Sequence, residues 1–280
     1  MSEPDAGVEA PARYDALAGS YARHWGPVIR PAALALLDRI DEAMVGDIRV
    51  LDLGTGTGTL AVQALTRWPS ARVTGVDPSR PMLDLAEAAV ADALGPPGKP
   101  GPRFTAVTAF ADELPFEAGS FDVALSSFVL QLVPSRAAAL RELQRVLRPG
   151  GRLGWVTWLV GGPAFRGDQV VDEVLDEFGF DPPERDGRSG DVASVAAAAA
   201  ATRRAGFGAV RAAEAALVHA WRPDAYAAFI AEFDEQSTFD ELEPAERRRM
   251  ERRLQERLGS LTEAELTMRL PVVYVTGVAR

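Results

Sequence analysis

The feature that most constrains the fold is a glycine-rich turn that directly follows a short apolar run. The run covers residues 48–53 (IRVLDL), the turn is GTGTG, and the helical pattern LAVQALTRW comes next. An apolar run of this length bounded by glycine is typical of a buried strand. Because glycine has no side chain and tolerates positive φ, the backbone of such a turn can approach a ligand closely. The same turn can also serve only tight packing, so its presence alone leaves both roles open.

Strand-like and helix-like segments continue to alternate after this turn. The strand-like runs are residues 71–77, 104–110, 120–130, 151–159, 210–218 and 266–279. The helical patterns are residues 81–94, 135–147, 167–178 and 223–259, and an alanine-rich helix follows the polar loop of residues 182–191. Repeated βα units are typical of a parallel, doubly wound sheet. We expect the last strand to return to the same sheet.

We expect a single domain with three regions. Residues 1–45 would form a disordered tail, as far as residue 11, and a helical lid that is interrupted near Gly26 and Pro27. Residues 46–160 would form the ligand-binding core. Residues 161–280 would complete the sheet and supply a second helical lid, in which Phe229 and Phe233 face inward together with Tyr226 and Ile230.

Composition excludes several kinds of site and partner. The chain has no cysteine and two histidines, which excludes disulfides and thiolate ligands and argues against a metal centre. A net charge of -10 opposes binding to a phosphate backbone, so we expect no nucleic-acid partner. No apolar run is long enough to span a bilayer, and the N-terminus does not resemble a secretory signal. We therefore expect a cytoplasmic protein with no membrane partner.

Two carboxylates near the glycine-rich turn indicate the kind of ligand that it binds. Asp77 ends the next strand-like run, where a carboxylate can accept hydrogen bonds from both ribose hydroxyls of an adenosine, although helix capping is an alternative role. Asp52 lies two residues before Gly54, and an acid in that place disfavours the pyrophosphate of a dinucleotide. It suits the ammonium group of an amino acid. S-adenosylmethionine joins adenosine to an amino acid through a sulfonium and satisfies both requirements.

Four stretches of the chain resemble the class I S-adenosylmethionine-dependent methyltransferases. They are VLDLGTGTGTLA, VTGVDPSRPML, ADELPFEAGSFDVALSSFVLQLVP and ELQRVLRPGGRLGWV, which cover about residues 48 to 160 in the family's order. The N-terminal YDALAGSYARHW is similar to the opening of the subgroup that resembles quinone-biosynthesis methyltransferases, where this segment folds over the cofactor. The resemblance implies an α/β fold: a Rossmann-like, doubly wound, mostly parallel seven-stranded sheet with helical lid insertions.

The resemblance also implies a set of contacts with S-adenosylmethionine and with its product S-adenosylhomocysteine. The methionine end, the ribose, the adenine, the floor beside the sulfonium and the lid would be contacted by Tyr14, Tyr21, Asp52, Gly54, Thr55, Gly56, Asp77, Pro78, Met82, Ala111, Asp112 and Ser127. One position departs from the family pattern, because Phe110 stands where many relatives have an Asp that accepts from the adenine amino group. Either Asp112 or backbone carbonyls replace that bond, or Phe110 packs on the purine.

Candidates for the catalytic step are fewer. Methyl transfer from a sulfonium is an in-line displacement that depends mainly on holding the acceptor in a dry pocket, so a general base is optional. Of the two histidines, His24, in the N-terminal lid, is a better candidate base than His219. The alternative is that its ring is exposed to solvent or has its hydrogen bonds satisfied within the core. Gln131 could donate a hydrogen bond to the acceptor or could simply begin a helix. Aromatic residues near the carboxyl ends of the strands indicate an apolar or aromatic acceptor.

These observations predict an enzyme that methylates a small-molecule acceptor, most simply at oxygen, with nitrogen or carbon as other possible sites. The protein would act as a monomer or homodimer. One alternative is a methyltransferase-like protein that binds the cofactor but catalyses another step, such as a cyclisation. A NAD-dependent oxidoreductase is a weaker alternative, because the chain has a single lysine, Lys99, and lacks the G-x-G-x-x-G spacing.

Overall fold

The structure is a computed structural model that describes residues 6–40, 46–95, 102–181 and 190–280, with side chains from Arg13 onward. Within these ranges seven strands form one sheet in the order β3-β2-β1-β4-β5-β7-β6. The strands are β1 (Arg49–Leu53), β2 (Arg72–Asp77), β3 (Phe104–Thr108), β4 (Phe121–Ser127), β5 (Leu147–Trp158), β6 (Gly208–Ala220) and β7 (Thr267–Val278).

The sheet is parallel except at one strand. Neighbouring strands from β3 to β5 pair in parallel, whereas β7 lies between β5 and β6 and runs antiparallel to both. The predicted doubly wound, mostly parallel seven-stranded sheet is thus confirmed, including the return of the C-terminal residues. Because the parallel strands point the same way, their carboxyl ends meet at one edge, where sheets of this type bind ligands.

Helices cover both faces of the sheet. They are α1 (Ala6–Ser20), α2 (Gly26–Asp38), α3 (Thr59–Arg67), α4 (Arg80–Leu94), α5 (Arg136–Val146), α6 (Arg166–Glu177), α7 (Val195–Arg204), α8 (Pro223–Phe229), α9 (Gln236–Asp240) and α10 (Pro244–Gly259). One apolar core lies under α2, α3, α6 and α10, and a second lies under α5 and α7. Serine side chains accept from backbone N–H groups at the starts of α4, α5 and α7, which satisfies donors that have no partner inside the helix.

The structure corrects three predicted boundaries. Residues 6–11 are helical rather than part of a disordered tail, and residues 1–5 lie outside the described ranges. A π-helical turn, Tyr21–Trp25, interrupts the first helical segment, and Pro27 lies in the first turn of α2, where its missing N–H is tolerated. The helical stretch of residues 223–259 is divided into α8, a second π-helical turn (Ile230–Asp234), α9 and α10.

Two other predictions lie largely outside the described residues. These are the boundary near residue 45 and most of the polar loop that precedes α7. In the part of the chain that the structure describes, no helix is both long and apolar enough to cross a membrane.

Candidate functional site

The three glycines of the turn after β1 have different physical roles. All have positive φ, 67° at Gly54, 51° at Gly56 and 82° at Gly58. A Cβ on Gly54 would lie 2.1 Å from Cγ2 of Val129, and one on Gly58 would lie 3.0 Å from the backbone of Ala86. Gly56 has no such neighbour within 4 Å. Packing therefore requires glycine at two positions, whereas at Gly56 the missing side chain leaves open space beside the turn.

Asp77 joins the glycine-rich turn to the start of α4. Its Oδ2 accepts a hydrogen bond from the Gly56 N–H at 3.0 Å, and its Oδ1 accepts one from the Ser79 N–H at 3.0 Å. The residue is 8% exposed, and this burial raises the pKa of its carboxyl, while the two N–H donors oppose the rise. Each carboxylate oxygen has a second lone pair, so two ribose hydroxyls could still donate to it.

Asp52 lies behind the turn and is almost fully buried. Its Oδ2 accepts from the Thr55 hydroxyl at 2.7 Å, and its Oδ1 has no hydrogen-bond partner among the described residues. Burial raises the pKa of Asp52 to about 7, and the nearby charge of Asp77 adds to the rise. An uncompensated buried oxygen of this kind would be stabilised by a cationic ligand group close to the turn.

A cavity of about 870 Å³, partly open to solvent, lies at the carboxyl ends of β1, β2 and β4. Ten of the residues predicted to contact the cofactor line it, namely Tyr14, Tyr21, Gly54, Gly56, Asp77, Pro78, Met82, Ala111, Asp112 and Ser127. The other two, Asp52 and Thr55, are not among the lining residues and support the turn from behind. We call this space the first cavity.

Further lining residues were not identified from the sequence. They are Leu53, Val76, Ala109, Val129, Leu132, Val133 and Pro134. Most lie at or just after the carboxyl ends of β1 to β4. That position relative to the predicted strands is the sequence signal that could have identified them. Phe110 also lines the first cavity, and its side chain is 54% exposed. Phe110 and Asp112 therefore both line the first cavity, where the resemblance implies the adenine.

A second cavity adjoins the first and has about 1220 Å³ of empty space, some of it solvent. Seven of its lining residues are aromatic: Tyr14, Tyr21, Trp25, Phe128, Trp158, Phe229 and Phe233. The polar side chains in its lining are those of Arg13, Gln131 and Asp234. The two cavities share Tyr14, Tyr21, Phe128 and Leu132. These shared residues form the boundary between the first cavity and a second cavity whose lining residues are mostly aromatic.

The N-terminal lid contributes two tyrosines to this boundary. The rings of Tyr14 and Tyr21 meet edge to face with centroids 6.0 Å apart, and Tyr21 lies 5.9 Å from the ring of Phe233 in the second lid. Burial raises the pKa of the Tyr21 hydroxyl, and the charge of Asp77 contributes to the rise. Tyr21 is therefore neutral at physiological pH and can act only by packing and hydrogen bonding.

The second lid is built as the sequence predicts. Tyr226, Phe229, Ile230 and Phe233 are all buried. Phe229 stacks on Trp25 of the N-terminal lid at 5.3 Å between ring centroids. The second cavity is thus lined by aromatic side chains from two lids that are distant in sequence.

The two candidate catalytic side chains are both engaged with other protein groups. Gln131 lines the second cavity, but its Nε2 donates to the Phe128 carbonyl at 2.7 Å and its Oε1 accepts from the Thr157 hydroxyl at 2.5 Å. His24 is not among the residues that line the two cavities, and its Nε2 lies 3.0 Å from Oε2 of Glu232. The structure therefore places Gln131, but not His24, in the lining of the second cavity.

Residues 50–151 match the family described as "Methyltransferase domain". The ubiquinone/menaquinone biosynthesis C-methyltransferase of Syntrophotalea carbinolica is 41% identical over 111 residues, which are 40% of this chain and 44% of that protein. The malonyl-[acyl-carrier protein] O-methyltransferase of Halorhodospira halophila is 35% identical over 57% of each chain. The chain thus spans about half the length of the curated relatives it matches.

A solved structure shares the fold over most of the chain. It is the phosphoethanolamine N-methyltransferase 2 of Haemonchus contortus, solved with S-adenosylhomocysteine and phosphomonomethylethanolamine. The TM-score is 0.53 at 20% identity, and the match covers 89% of this chain and 52% of that one. Identity this low shows the fold and nothing more.

Proposed function

Because residues 50–151 match a methyltransferase domain, we propose that this chain is a class I S-adenosylmethionine-dependent methyltransferase and that it methylates a small molecule. S-adenosylmethionine would bind in the first cavity and the acceptor in the second. The observation that carries this proposal is that the two cavities share a wall, with the glycine-rich turn and Asp77 in the first cavity and seven aromatic residues lining the second. S-adenosylhomocysteine would remain in the first cavity after transfer.

The residues of the first cavity fit this cofactor. Gly56 leaves space against the turn, and the buried carboxylate of Asp77 can accept from a ribose. The unpartnered Oδ1 of Asp52 lies behind the same turn, where a nearby ammonium group would offset its burial. Phe110 and Met82 supply apolar surface for a purine. When bound, the cofactor supplies an electrophilic methyl group on a sulfonium.

The second cavity favours an apolar or aromatic acceptor. Its walls are mainly aromatic rings, which bury planar apolar groups well, and Arg13 and Asp234 offer charged groups for a polar substituent. Relatives are named for methylation at carbon and for methylation at oxygen. We propose an aromatic ring system of the kind found in quinone precursors, methylated at a ring carbon or at an oxygen attached to the ring.

The protein would contribute mainly by alignment and by exclusion of water. The lining of the two cavities, as the structure describes it, contains no histidine or lysine. Holding an acceptor atom in line with the transferred methyl group against aromatic rings accounts for a large part of the rate without a general base, and the proton that the acceptor loses would pass to solvent at the open side of the cavity. A base at His24 would require the lid to rearrange, because that ring is paired with Glu232.

The proposal is tested by incubating the protein with methyl-tritiated S-adenosylmethionine, a panel of phenols and hydroquinones, and a bacterial metabolite extract. We expect tritium in an organic product, and NMR of that product identifies the methylated atom. Asp77→Asn should abolish most of the transfer at low cofactor concentration. Binding of S-adenosylhomocysteine without label in any product would contradict methyl transfer and favour a non-methylating role.

A further inference from the structure

The backbone turn after β4 is strained at a residue that faces both cavities. Phe128 has φ of 56°, which is rare for an aromatic residue and persists only where the surroundings enforce it. Its ring is 6% exposed and lies 4.1 Å from that of Trp158, centroid to centroid. The next residue, Val129, fills the place of a Cβ on Gly54. The turn therefore touches the glycine-rich turn on one side and the aromatic wall on the other.

A chain of hydrogen bonds enforces this conformation. The Phe128 N–H donates to the Val156 carbonyl at 2.9 Å, and Gln131 Nε2 donates to the Phe128 carbonyl at 2.7 Å. The Thr157 hydroxyl donates to Gln131 Oε1 at 2.5 Å. Because a backbone carbonyl can only accept, the amide nitrogen of Gln131 must face Phe128 and its oxygen must face Thr157. Both ends of the Gln131 amide are thus committed to holding the turn.

Thr157, the last residue of this chain of hydrogen bonds, lies outside both cavities. Thr157 is fully buried on β5 and is not among the residues that line either cavity. Its hydroxyl can therefore influence the cavities only through Gln131. A rigid strand in the middle of the sheet thus determines where the Gln131 amide points, and the amide determines where the Phe128 carbonyl points.

We propose that Gln131 is a positioning residue rather than a hydrogen-bond donor to the acceptor. Anchored by Thr157, it holds Phe128 in the left-handed conformation and so fixes the aromatic wall of the second cavity relative to the first. The identity of the two ligands rests on the proposed function. The hydrogen-bond chain and its effect on Phe128 do not depend on it.

The test uses Gln131→Ala and Thr157→Val, with Thr157→Ser to restore the hydroxyl. The matched control is Thr202→Val, which removes another fully buried threonine hydroxyl, one that accepts from Trp155 Nε1, donates to the Ala198 carbonyl and takes no part in this chain of hydrogen bonds. Phe128 is labelled in each variant as 4-fluorophenylalanine and observed by ¹⁹F NMR. Calorimetry then measures the affinity of each unlabelled variant for S-adenosylhomocysteine.

We expect a single ¹⁹F resonance in the parent, in Thr157→Ser and in Thr202→Val. Gln131→Ala and Thr157→Val should show a shifted or multiple resonance and bind S-adenosylhomocysteine about 3- to 10-fold more weakly, the loss expected for one hydrogen bond. Unchanged spectra in both variants, or an equal change in Thr202→Val, would overturn the proposal. If the spectra change in both variants but the parent protein binds no S-adenosylhomocysteine, the positioning role is supported and the proposed function is refuted.

Discussion

Asp77 is the side chain on which cofactor affinity should depend most directly. Its carboxylate lines the first cavity and is the predicted partner of the ribose. Asp77→Ala removes charge-assisted hydrogen bonds, so we expect S-adenosylhomocysteine to bind roughly 10- to 100-fold more weakly by calorimetry. The control is Asp122→Ala, which removes a carboxylate that pairs with Arg49 and Arg148 at the start of β4. Equal affinities in the parent and Asp77→Ala would contradict the assignment.

Asp52 should make stability depend on pH. Its carboxyl has a pKa of 3.8 as a reference and about 7 when buried in the folded protein. Between these two pKa values the folded state holds a proton that the unfolded state has lost, and this proton stabilises the folded state. The stabilisation is complete below pH 3.8 and disappears as the pH rises towards 7. Where the dependence is steepest, the free energy of unfolding would fall by about 1.4 kcal/mol per pH unit.

Asp52→Asn removes this titration while keeping an oxygen that can accept from Thr55. Urea unfolding of the parent and the variant between pH 4 and pH 8 should show the parent losing stability relative to Asp52→Asn as the pH rises. Parallel pH profiles would show that Asp52 has an ordinary pKa in the folded protein.

Gly54 and Gly56 should respond differently to the same substitution. Both have positive φ, so alanine costs about 1–2 kcal/mol at either position. At Gly54 the new Cβ also overlaps Val129, which adds roughly 1–3 kcal/mol. Thermal unfolding should therefore show Gly54→Ala as the less stable variant, with partial recovery in the double variant Gly54→Ala, Val129→Ala. A smaller loss in Gly54→Ala than in Gly56→Ala would contradict this packing.

At the scale of elements, two π-helical turns join the lids to each other. Tyr21–Trp25 belongs to the N-terminal lid and Ile230–Asp234 to the second lid. Glu232 pairs with His24 at 3.0 Å and with Arg23 at 3.3 Å. π-Helical turns occur often at functional sites, where they change which residues face inward. Here they direct Tyr21 and Trp25 from one lid, and Phe233 from the other, towards the second cavity.

Loss of this pairing should loosen both lids together. In Glu232→Gln we expect amide hydrogen exchange in both π-helical turns to be about 2- to 5-fold faster, consistent with a partly exposed ion pair. The control is Glu251→Gln, which weakens a pair with Arg247 in α10. Faster exchange in only one turn would show that the pair does not couple the lids.

The lids also show what sequence patterns predict at this scale. The helical spacing of the apolar residues in the second lid predicts its buried face, because periodicity is a local property of the chain. The same pattern does not reveal the π-helical turns, since an extra residue in a turn is stabilised by contacts with the other lid. The position of the ring of His24, the predicted base, depends on the same contacts between the lids. Sequence alone does not reveal that this ring lies beside Glu232.

At the scale of the whole molecule, a ligand that binds only the folded state raises its stability by mass action. S-adenosylhomocysteine at a concentration 100 times its Kd should add about 2.7 kcal/mol. For a protein of this size that is roughly a 5–10 °C rise in Tm in a thermal scan. NAD at the same concentration is the control and should leave Tm unchanged. A rise with NAD and none with S-adenosylhomocysteine would favour the oxidoreductase alternative.

What the sequence by itself determined is the order of the elements, the glycine-rich turn and most of the first cavity. Those residues lie at the ends of consecutive strands, so short-range pattern and chain order suffice to bring them together. The second cavity, the strained turn at Phe128 and the hydrogen bonds of Gln131 and Thr157 were decided only by tertiary structure. They arise where the N-terminal lid, β4, β5 and α8 pack against one another, and the close packing of side chains far apart in the chain is not encoded in any local pattern.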